Sequence, residues 1–239
     1  MKPSLHTDEW PSLNQYLEGQ TPQEILRVAY ERFGEQLILA CSFGAEDVVL
    51  ADMLFRLNPR ATAFYLDTDF LFPETYAVRD RLMKHYGLQH TQLIQMKAAL
   101  SPEEQASQFG EALWLRNPDQ CCQLRKVDSL TKILQRYQAW ITGIRRDQSP
   151  TRASAKIVEW DTKFGLVKWN PLAAWSWDQV WAYIREWDVP YNELHDHHFP
   201  SIGCTHCTAP VLPGEDPRSG RWKQFTKTEC GLHPVKQTE

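Results

Sequence analysis

The first half of the chain alternates short apolar runs with helical segments, and this alternation restricts the fold more than any other feature. Residues 36–42 form an almost continuous apolar run of strand length, and residues 45–57, which follow Gly44, are apolar on most of their surface. Glu46 and Asp47 place negative charge in the first turn of that second segment, where it favours a helix start. A buried strand leading directly into a buried helix is typical of a parallel sheet covered by helices.

The same pattern recurs further along the chain. Strand signals lie at residues 61–66, 91–95 and 138–143, and Pro73 and Pro102 mark the first turns of helices. Past residue 150 the pattern becomes less regular. Two short runs then predict a hairpin, and a capping box predicts a helix whose periodic residues we interpret as core. These features are the runs 156–160 and 166–169, the box Ser176 and Gln179, and the helix residues Trp177, Val180, Trp181, Ile184 and Trp187.

These elements predict an α/β fold with a parallel twisted sheet, helices on both faces and a ligand site at the carboxyl ends of the strands. From about residue 190 onward glycine and proline become frequent, which predicts a loop-rich C-terminal tail. We therefore divide the chain into an α/β domain at residues 1–200, to which the resemblance described below adds nucleotide binding, and a C-terminal segment at residues 201–239.

Composition excludes several classes of protein. The 239 residues carry a net charge of −4, so the chain has no global basic field and nucleic acid is not an expected partner. The first residues lack the pattern of a signal peptide, and no stretch approaches the ~18 apolar residues of a membrane span. We expect a cytoplasmic enzyme that does not bind membranes, and the sequence leaves its oligomeric state open, a homo-oligomer included.

Five of the six cysteines form a pattern of their own. Cys121 and Cys122 are adjacent, Cys204 and Cys207 form a Cys-x-x-Cys pair, and Cys230 stands alone in a polar tail. In a reducing compartment such pairs indicate metal ligands or redox groups before structural disulfides. On the residues alone an iron–sulfur cluster and a zinc ion are about equally supported, with a redox or unliganded pair as a third alternative. A lone tail cysteine is usually an incidental thiol.

Several other residues are candidates for binding an anion. Ser42 and Gly44 lie at a strand-to-helix junction, where backbone amides and the helix N-terminus can face an anion, although a tight turn with a helix cap explains them as well. Basic side chains that could hold an anion are Lys126, Arg145, Arg152, Arg218 and Arg221. Each has the alternative of a solvated surface charge. We interpret the cluster of His195, His197 and His198 as structural or solvated.

A set of motifs then makes the sequence recognisable. These are ACSFGAEDVVL (40–50), LDT (66–68), PETY (73–76), CCQLRK (121–126), TGIRRDQS (142–149), SIGCTHCT (201–208), GEDPRSGRW (214–222) and KTECGLH (227–233). In their order and spacing the chain resembles the iron–sulfur branch of the adenylyl-sulfate reductase family, which has an adenine nucleotide α-hydrolase-like fold. The resemblance spans roughly residues 30 to 235.

The resemblance implies a function and a set of roles. Members reduce adenosine 5′-phosphosulfate (APS), or its 3′-phosphorylated form (PAPS), to sulfite, and the tandem cysteines favour APS. Cys230 would be the nucleophile, forming an S-sulfocysteine that thioredoxin or glutaredoxin resolves. The implied ligands of a 4Fe-4S cluster are Cys121, Cys122, Cys204 and Cys207. The implied substrate contacts are Ser42, Gly44, Lys126, Gly143, Arg152, Arg218, Arg221 and His233.

Two departures from related patterns bear on this hypothesis. The loop at residues 42–47 lacks the Ser-Gly-Gly-x-Asp-Ser pattern of ATP pyrophosphatases, which argues against cleavage of ATP. Asp69 stands where many relatives have glycine, so the backbone there is expected to differ. The alternatives are a PAPS or dual APS/PAPS reductase, a zinc-stabilised nucleotide-binding module, and a tRNA-thiolating enzyme. The absent ATP motif weighs against thiolation, and the KTECGLH tail weighs against a passive binding module.

Overall fold

A six-stranded sheet lies at the centre of the protein in a computed structural model that describes residues 9–227 and 229–232. Its strand order is β3-β2-β1-β4-β6-β5, and every neighbouring pair is parallel except β5 and β6. The strands are β1 Leu37–Ala40, β2 Ala63–Asp67, β3 Leu93–Lys97, β4 Ala139–Ile141, β5 Val158–Asp161 and β6 Leu166–Trp169. The predicted parallel sheet is confirmed, and the predicted hairpin forms its antiparallel edge.

Helices connect the strands, and the four that the sequence predicts begin where their signals place them. They are α1 Trp10–Leu17, α2 Pro22–Phe33, α3 Ala45–Leu57, α4 Pro73–Tyr86, α5 Pro102–Phe109, α6 Leu113–Arg116, α7 Pro118–Cys122, α8 Asp128–Leu134 and α9 Trp177–Trp187. Pro73 and Pro102 occupy first-turn positions, where the missing amide hydrogen costs no helical bond. Ser176 and Gln179 form the predicted capping box at the start of α9.

The two faces of the sheet carry separate cores because successive strand residues point to opposite sides. Leu37 and Leu39 of β1 pack into a large core with α2, α3 and α9. Ile38 of the same strand packs with Trp140 and with Leu130 of α8 in a smaller core on the other face. The predicted helices on both faces are therefore confirmed.

One interpretation of α9 is wrong in part. Val180 and Ile184 are buried as expected, but Trp187 is 43% exposed. It occupies the last turn of the helix, and the guanidinium of Arg56 lies 4.7 Å from its ring centroid. A helical period identifies the face that a residue shares, but not whether neighbouring elements extend far enough to cover it.

The strand order fixes where a ligand can bind. β2 and β3 follow β1 on one side, whereas β4 lies on the other side of β1. The connections that leave the carboxyl ends of β1 and β4 therefore diverge, and a crevice opens between them. This topological switch point lies beside Ser42 at one strand end and Gly143 at the other.

The segment after residue 200 contacts the sheet domain closely. Leu71, in the loop after β2, forms an isolated bridge with Cys204, and the Thr205 amide donates to the Phe70 carbonyl at 2.8 Å. The division at residue 200 stays a prediction. None of the described helices combines the length and apolar character needed to cross a membrane.

A buried carboxylate in the large core yields a stability prediction. Asp52 is fully buried and accepts hydrogen bonds from Arg56 Nε at 2.8 Å, from the Tyr183 hydroxyl at 2.6 Å and from the Tyr86 hydroxyl. Asp52→Ala should lower the free energy of unfolding by about 3 kcal/mol, because two tyrosine hydroxyls lose their acceptor. Urea unfolding measures the change. Glu31→Ala, which removes an exposed ion pair with Arg27, should leave the urea midpoint almost unchanged, and an equal effect of both variants would contradict the prediction.

Candidate active site

A cavity of about 400 Å³ opens at the predicted position, beside the carboxyl ends of β1, β2 and β4. Its walls include the loop after β1, the end of β4 and the C-terminal tail. The predicted substrate contacts among the described residues line it together: Ser42, Gly44, Lys126, Gly143, Arg152, Arg218 and Arg221. Cys230 lines the same cavity. His233 lies outside the described residues, so its predicted contact stays a prediction.

The loop after β1 turns at Phe43 rather than at the glycine that follows it. The left-handed residue is Phe43, with φ of +63°, whereas Gly44 is extended and precedes the first turn of α3. The Ser42 amide and hydroxyl both donate to Asp47 Oδ2, at 2.7 and 2.5 Å. The buried Phe43 ring packs on Tyr65 at 5.2 Å between centroids, and this packing stabilises the unusual backbone.

Asp47 is a carboxylate at the N-terminus of α3 that faces the cavity. Burial raises its pKa to about 6, against the opposing effect of the two Ser42 donors, and nearby Glu46 adds to the increase. Above pH 6 the group is mostly ionised and can accept both hydrogen bonds from Ser42. The acidic side chains Glu46 and Asp147 also line the cavity, and both pair there with Arg145.

Gly143 brings β4 against the start of α3. A Cβ atom built at Gly143 would collide with Asp47 Oδ1 and would lie 2.9 Å from Glu46 Cβ. The sequence identified Gly143 through the family motif, and the structure supplies the reason, since only glycine permits this approach.

We therefore expect Gly143→Ala to weaken binding of AMP at least about ten-fold while the fold persists, because Asp47 and Ser42 must shift. Isothermal titration calorimetry measures the affinity, and circular dichroism checks the fold. The matched control is Gly19→Ala, at a site where an added Cβ meets nothing within 4 Å. Unchanged AMP affinity in Gly143→Ala would show that this close approach is not needed for binding.

Arg221 and Lys126 lie between the cavity and the cysteines. Arg221 Nη1 donates to Ser201 Oγ at 3.1 Å, and its buried Nε has no hydrogen-bond partner among the described residues. A Cβ at Gly203 would lie 2.7 Å from Arg221 Cζ, so this glycine makes room for the guanidinium. Desolvation opposes the charge of Lys126, but the thiols of Cys204, Cys230 and Cys122 outweigh it and raise the lysine pKa. Both the paired cysteines and Cys230 therefore stabilise the positive charge of Lys126.

Two further arginines, Arg145 and Arg146, form ion pairs with acidic side chains of the protein. Arg145 is 4% exposed and pairs with Glu46 at 2.9 Å and with Asp147, and its guanidinium lies 5.3 Å from the Trp177 ring centroid. Arg146 pairs with Glu18. The sequence left Arg145 undecided between substrate contact and surface charge, and the structure shows ion pairs within the protein for both residues.

The tail that carries Cys230 is docked by its neighbours. Lys163 Nζ, in the turn between β5 and β6, donates to the Gly231 carbonyl at 2.6 Å, and Leu232 packs against the smaller core. The Glu229 carboxylate binds both Arg152 and Arg218, at 2.9 and 3.1 Å. Neither Glu229 nor Lys163 was identifiable as a docking residue from the sequence, since no local spacing relates either residue to its partner.

The four paired cysteines line a second, smaller cavity with Phe70, Trp114, Arg125, Lys126, His206 and Trp222. Cys121 and Cys122 end α7, and a π-helical turn at Gln123–Val127 follows before α8. Such a wide turn changes the direction in which neighbouring side chains leave the helix, and π-helical turns occur often at functional sites. Predicted strand and helix signals gave no indication of this turn.

The surroundings of these cysteines suit an electron-rich group. Thr68 Oγ1 lies 3.3 Å from Cys204 Sγ, and the buried donors Arg125 Nη2 and Trp222 Nε1 lack hydrogen-bond partners among the described residues. Burial and the neighbouring thiols raise the pKa of Cys121 to about 12 and that of Cys207 to about 11. Without another positive group nearby, these two thiols stay protonated at neutral pH. Within residues 9–227 and 229–232 no three His, Cys, Asp or Glu side chains converge as a site for one metal ion.

Two more residues lie near the cysteines. Asp69 takes the left-handed conformation, with φ of +58°, which glycine adopts more readily than other residues. Its carboxylate pairs with the buried Arg125 at 3.1 Å. His206 stacks on Trp114 with ring centroids 3.9 Å apart, in keeping with a neighbour of the cysteines rather than a ligand.

His195 was interpreted as structural or solvated, together with His197 and His198. The latter two are exposed, whereas His195 is half-buried and lines the large cavity. Its Nδ1 hydrogen-bonds to the Phe199 carbonyl at 2.8 Å, and burial lowers its pKa. Asn192 and Leu194, just before it in the sequence, are buried, so this loop packs inward.

Comparison with known proteins assigns this architecture to a family. A family profile described as "Phosphoadenosine phosphosulfate reductase domain" matches residues 36–210, which include the loops after β1 and β4 and the four paired cysteines. The chain belongs to the phosphoadenosine phosphosulfate reductase family. Cys230 lies beyond the matched residues, so its place in the cavity of this reductase-family chain rests on the structure and on the tail motif.

Similar proteins carry two substrate names. The adenosine 5′-phosphosulfate reductase of Shouchella clausii is 49% identical, with 96% of this chain and 94% of that protein aligned. The phosphoadenosine 5′-phosphosulfate reductase of Gloeobacter violaceus is 51% identical, with 90% of each aligned. A crystal structure of phosphoadenylyl-sulfate reductase from Candida auris, a phosphate complex, covers 87% of this chain and all of that chain, with a TM-score of 0.76 and 32% identity.

More distant structures support the fold of this family member alone. The FMN adenylyltransferase of Candida glabrata covers 95% of this chain and 76% of that chain, with a TM-score of 0.58 and 14% identity. The predicted adenine nucleotide α-hydrolase-like fold is thereby confirmed.

Proposed function

We propose that the protein reduces APS to sulfite and AMP in sulfate assimilation. The observation that carries the proposal is that the Cys230 side chain shares one cavity with Lys126, Arg218 and Arg221. The resemblance assigns these three cations to the phosphosulfate, and relatives named adenosine 5′-phosphosulfate reductase support the same substrate. A nucleophile and preorganised positive charge at one cavity suit attack on a doubly anionic substrate.

The first step transfers the sulfuryl group to the protein. The Cys230 thiolate attacks the sulfur atom, a sulfur–sulfur bond forms, and the bond from that sulfur to the bridging oxygen breaks. The electron pair of the broken bond leaves with AMP. Lys126, Arg218 and Arg221 would offset the negative charge that crowds together as the thiolate approaches. Ser42 and Gly44 would hold the nucleotide at the N-terminus of α3.

The second step releases sulfite and needs a dithiol. A thiolate of thioredoxin or glutaredoxin attacks Cys230 Sγ, sulfite leaves with the electron pair of the sulfur–sulfur bond, and a mixed disulfide forms. The second thiol of the partner then restores the Cys230 thiol and leaves the partner oxidised. The tail must move for this step, because its residues now line the cavity.

Cys121, Cys122, Cys204 and Cys207 would hold a 4Fe-4S cluster. The donor set supports this assignment, since all four thiols line one small cavity with donors of Arg125 and Trp222 that have no hydrogen-bond partner among the described residues. A cluster places its thiolates on separate irons, which suits the adjacent cysteines Cys121 and Cys122. When bound, such a group would contribute a fixed charged centre beside Lys126 and would join α7 to the segment after residue 203.

Mass spectrometry tests the reaction directly. Protein incubated anaerobically with APS and no reductant should gain one sulfonate, which added thioredoxin should release as sulfite. Protein that binds APS but never carries the adduct would overturn the proposed mechanism. Release by glutaredoxin and not thioredoxin would instead assign the other thiol donor.

PAPS is the second candidate substrate, because a relative that is 51% identical is named phosphoadenosine 5′-phosphosulfate reductase. We nevertheless expect a kcat/KM at least about ten-fold higher for APS, on the strength of the tandem cysteines that mark the cluster-bearing branch. Initial rates with both substrates under thioredoxin recycling decide the matter. A higher kcat/KM for PAPS than for APS would show that PAPS is the preferred substrate.

A further inference from the structure

We propose that Glu229 is an internal competitor of the substrate anion, a positioning residue whose carboxylate fills the Arg152–Arg218 pair when no substrate is bound. This inference rests on the proposed function, which assigns Arg218 to the phosphosulfate, and on the family resemblance, which makes Arg152 a substrate contact. It adds a role for the residue directly before the nucleophile.

The contacts of Glu229 resemble those expected of a bound oxyanion. Arg152 donates through Nε to Oε1 and through Nη2 to Oε2, both at 2.9 Å, which is a two-pronged arginine–carboxylate pair. Arg218 Nη2 donates to the same Oε2 at 3.1 Å. The Glu229 side chain is only 7% exposed, and those of Arg152 and Arg218 are 12% and 17% exposed. Two guanidiniums thus converge on one buried carboxylate.

Charge explains why an anion is needed at this place. Arg218 is desolvated, which lowers its pKa, and neighbouring Arg152 and Arg221 act in the same direction, whereas Glu229 opposes them. Guanidiniums this close would repel one another in an empty pocket. A phosphate or sulfate group presents oxygen pairs that suit the same guanidinium geometry, so substrate and Glu229 compete for the same donors.

The position of Glu229 links this competition to the nucleophile. Cys230 follows it directly, and the next residue, Gly231, is held separately by Lys163 at 2.6 Å. When an incoming oxyanion takes the arginines, Glu229 must leave them, while Lys163 and the packing of Leu232 still anchor the far side of Cys230. Substrate arrival therefore changes the backbone on one side of the nucleophile only.

Apparent affinity measures the competition. If Glu229 occupies the arginines in about nine of ten free molecules, removing its charge should tighten substrate binding about ten-fold. APS and adenosine are titrated calorimetrically into Cys230→Ser, which cannot transfer the sulfuryl group, and into the double variant Cys230→Ser, Glu229→Gln. We expect about ten-fold tighter APS binding in the double variant and unchanged adenosine binding, because adenosine carries no anion. Glu186→Gln in the same background is the control, an exposed carboxylate outside the cavity lining with the same change in net charge.

A second measurement includes the unaltered protein, so that the test still holds if Glu229→Gln disturbs the tail. With Cys230 present, Glu229→Gln should speed alkylation of Cys230 by iodoacetamide several-fold, and inorganic sulfate should do the same to the unaltered protein by displacing Glu229. APS binding in the double variant that is unchanged or weaker, or alkylation that sulfate does not speed, would overturn the competition. Protein that binds neither APS nor AMP would overturn the proposed function itself, which is a distinguishable result.

Discussion

Cys230→Ser should bind APS and keep its metal centre, yet lose turnover by at least about 10³-fold. The reason is chemical, since a serine hydroxyl stays protonated near neutral pH and is a far weaker nucleophile than a thiolate. Steady-state sulfite release with thioredoxin measures the loss, and calorimetry with APS measures binding. Binding and chemistry should separate in this variant.

The location of the adduct provides the control. Cys41 is the remaining cysteine outside the two pairs; it is 3% exposed, and burial raises its pKa strongly. Cys41→Ala should still accumulate one sulfonate, and peptide mapping should place it on Cys230. Near-normal turnover in Cys230→Ser, or an adduct on Cys41, would mean that the nucleophile is wrongly assigned.

Cys122→Ser should abolish binding of the cluster and lower the melting temperature by several degrees. Cys122 is buried beside Lys126 and Lys227, whose charges stabilise its thiolate against the effect of burial, and a hydroxyl cannot replace that thiolate as an iron ligand. The visible absorbance that a 4Fe-4S cluster gives the unaltered protein should be absent from the variant, and assays for iron and acid-labile sulfide should fall to background. The loosened segment after Cys204 should make the tail more sensitive to limited proteolysis.

Metal analysis separates this prediction from the zinc alternative. Anaerobically purified protein should contain about four irons and four acid-labile sulfides per chain if one 4Fe-4S cluster binds. Cys41→Ala, which removes a thiol outside the two pairs, should keep them. Finding one equivalent of zinc and no sulfide would mean that the two cysteine pairs hold a structural zinc ion. The assignment of Cys230 as the nucleophile would not be affected.

The sequence by itself determined the fold class, the order of the elements and the set of candidate site residues. Apolar runs, proline positions and the capping box at Ser176 are local signals, because helix and strand periods are set by residues a few positions apart. The family motifs also identified Gly143 and the paired cysteines before any geometry was known. The prediction that Trp187 is a core residue was wrong because a helical period shows which face a residue shares, but not whether neighbouring elements cover that residue.

Only the tertiary structure decided which charges meet. Glu229 binds Arg152, which is 77 residues away, and Arg145 binds Glu46 across 99 residues. The tertiary structure also placed the left-handed turn at Phe43 rather than Gly44, because packing of the Phe43 ring on Tyr65 stabilises that backbone conformation. Such contacts depend on strand order and on the approach of backbones, as at Gly143, and no spacing along the chain encodes them. The residues of the site were therefore visible in the sequence, whereas their partners became visible only in the fold.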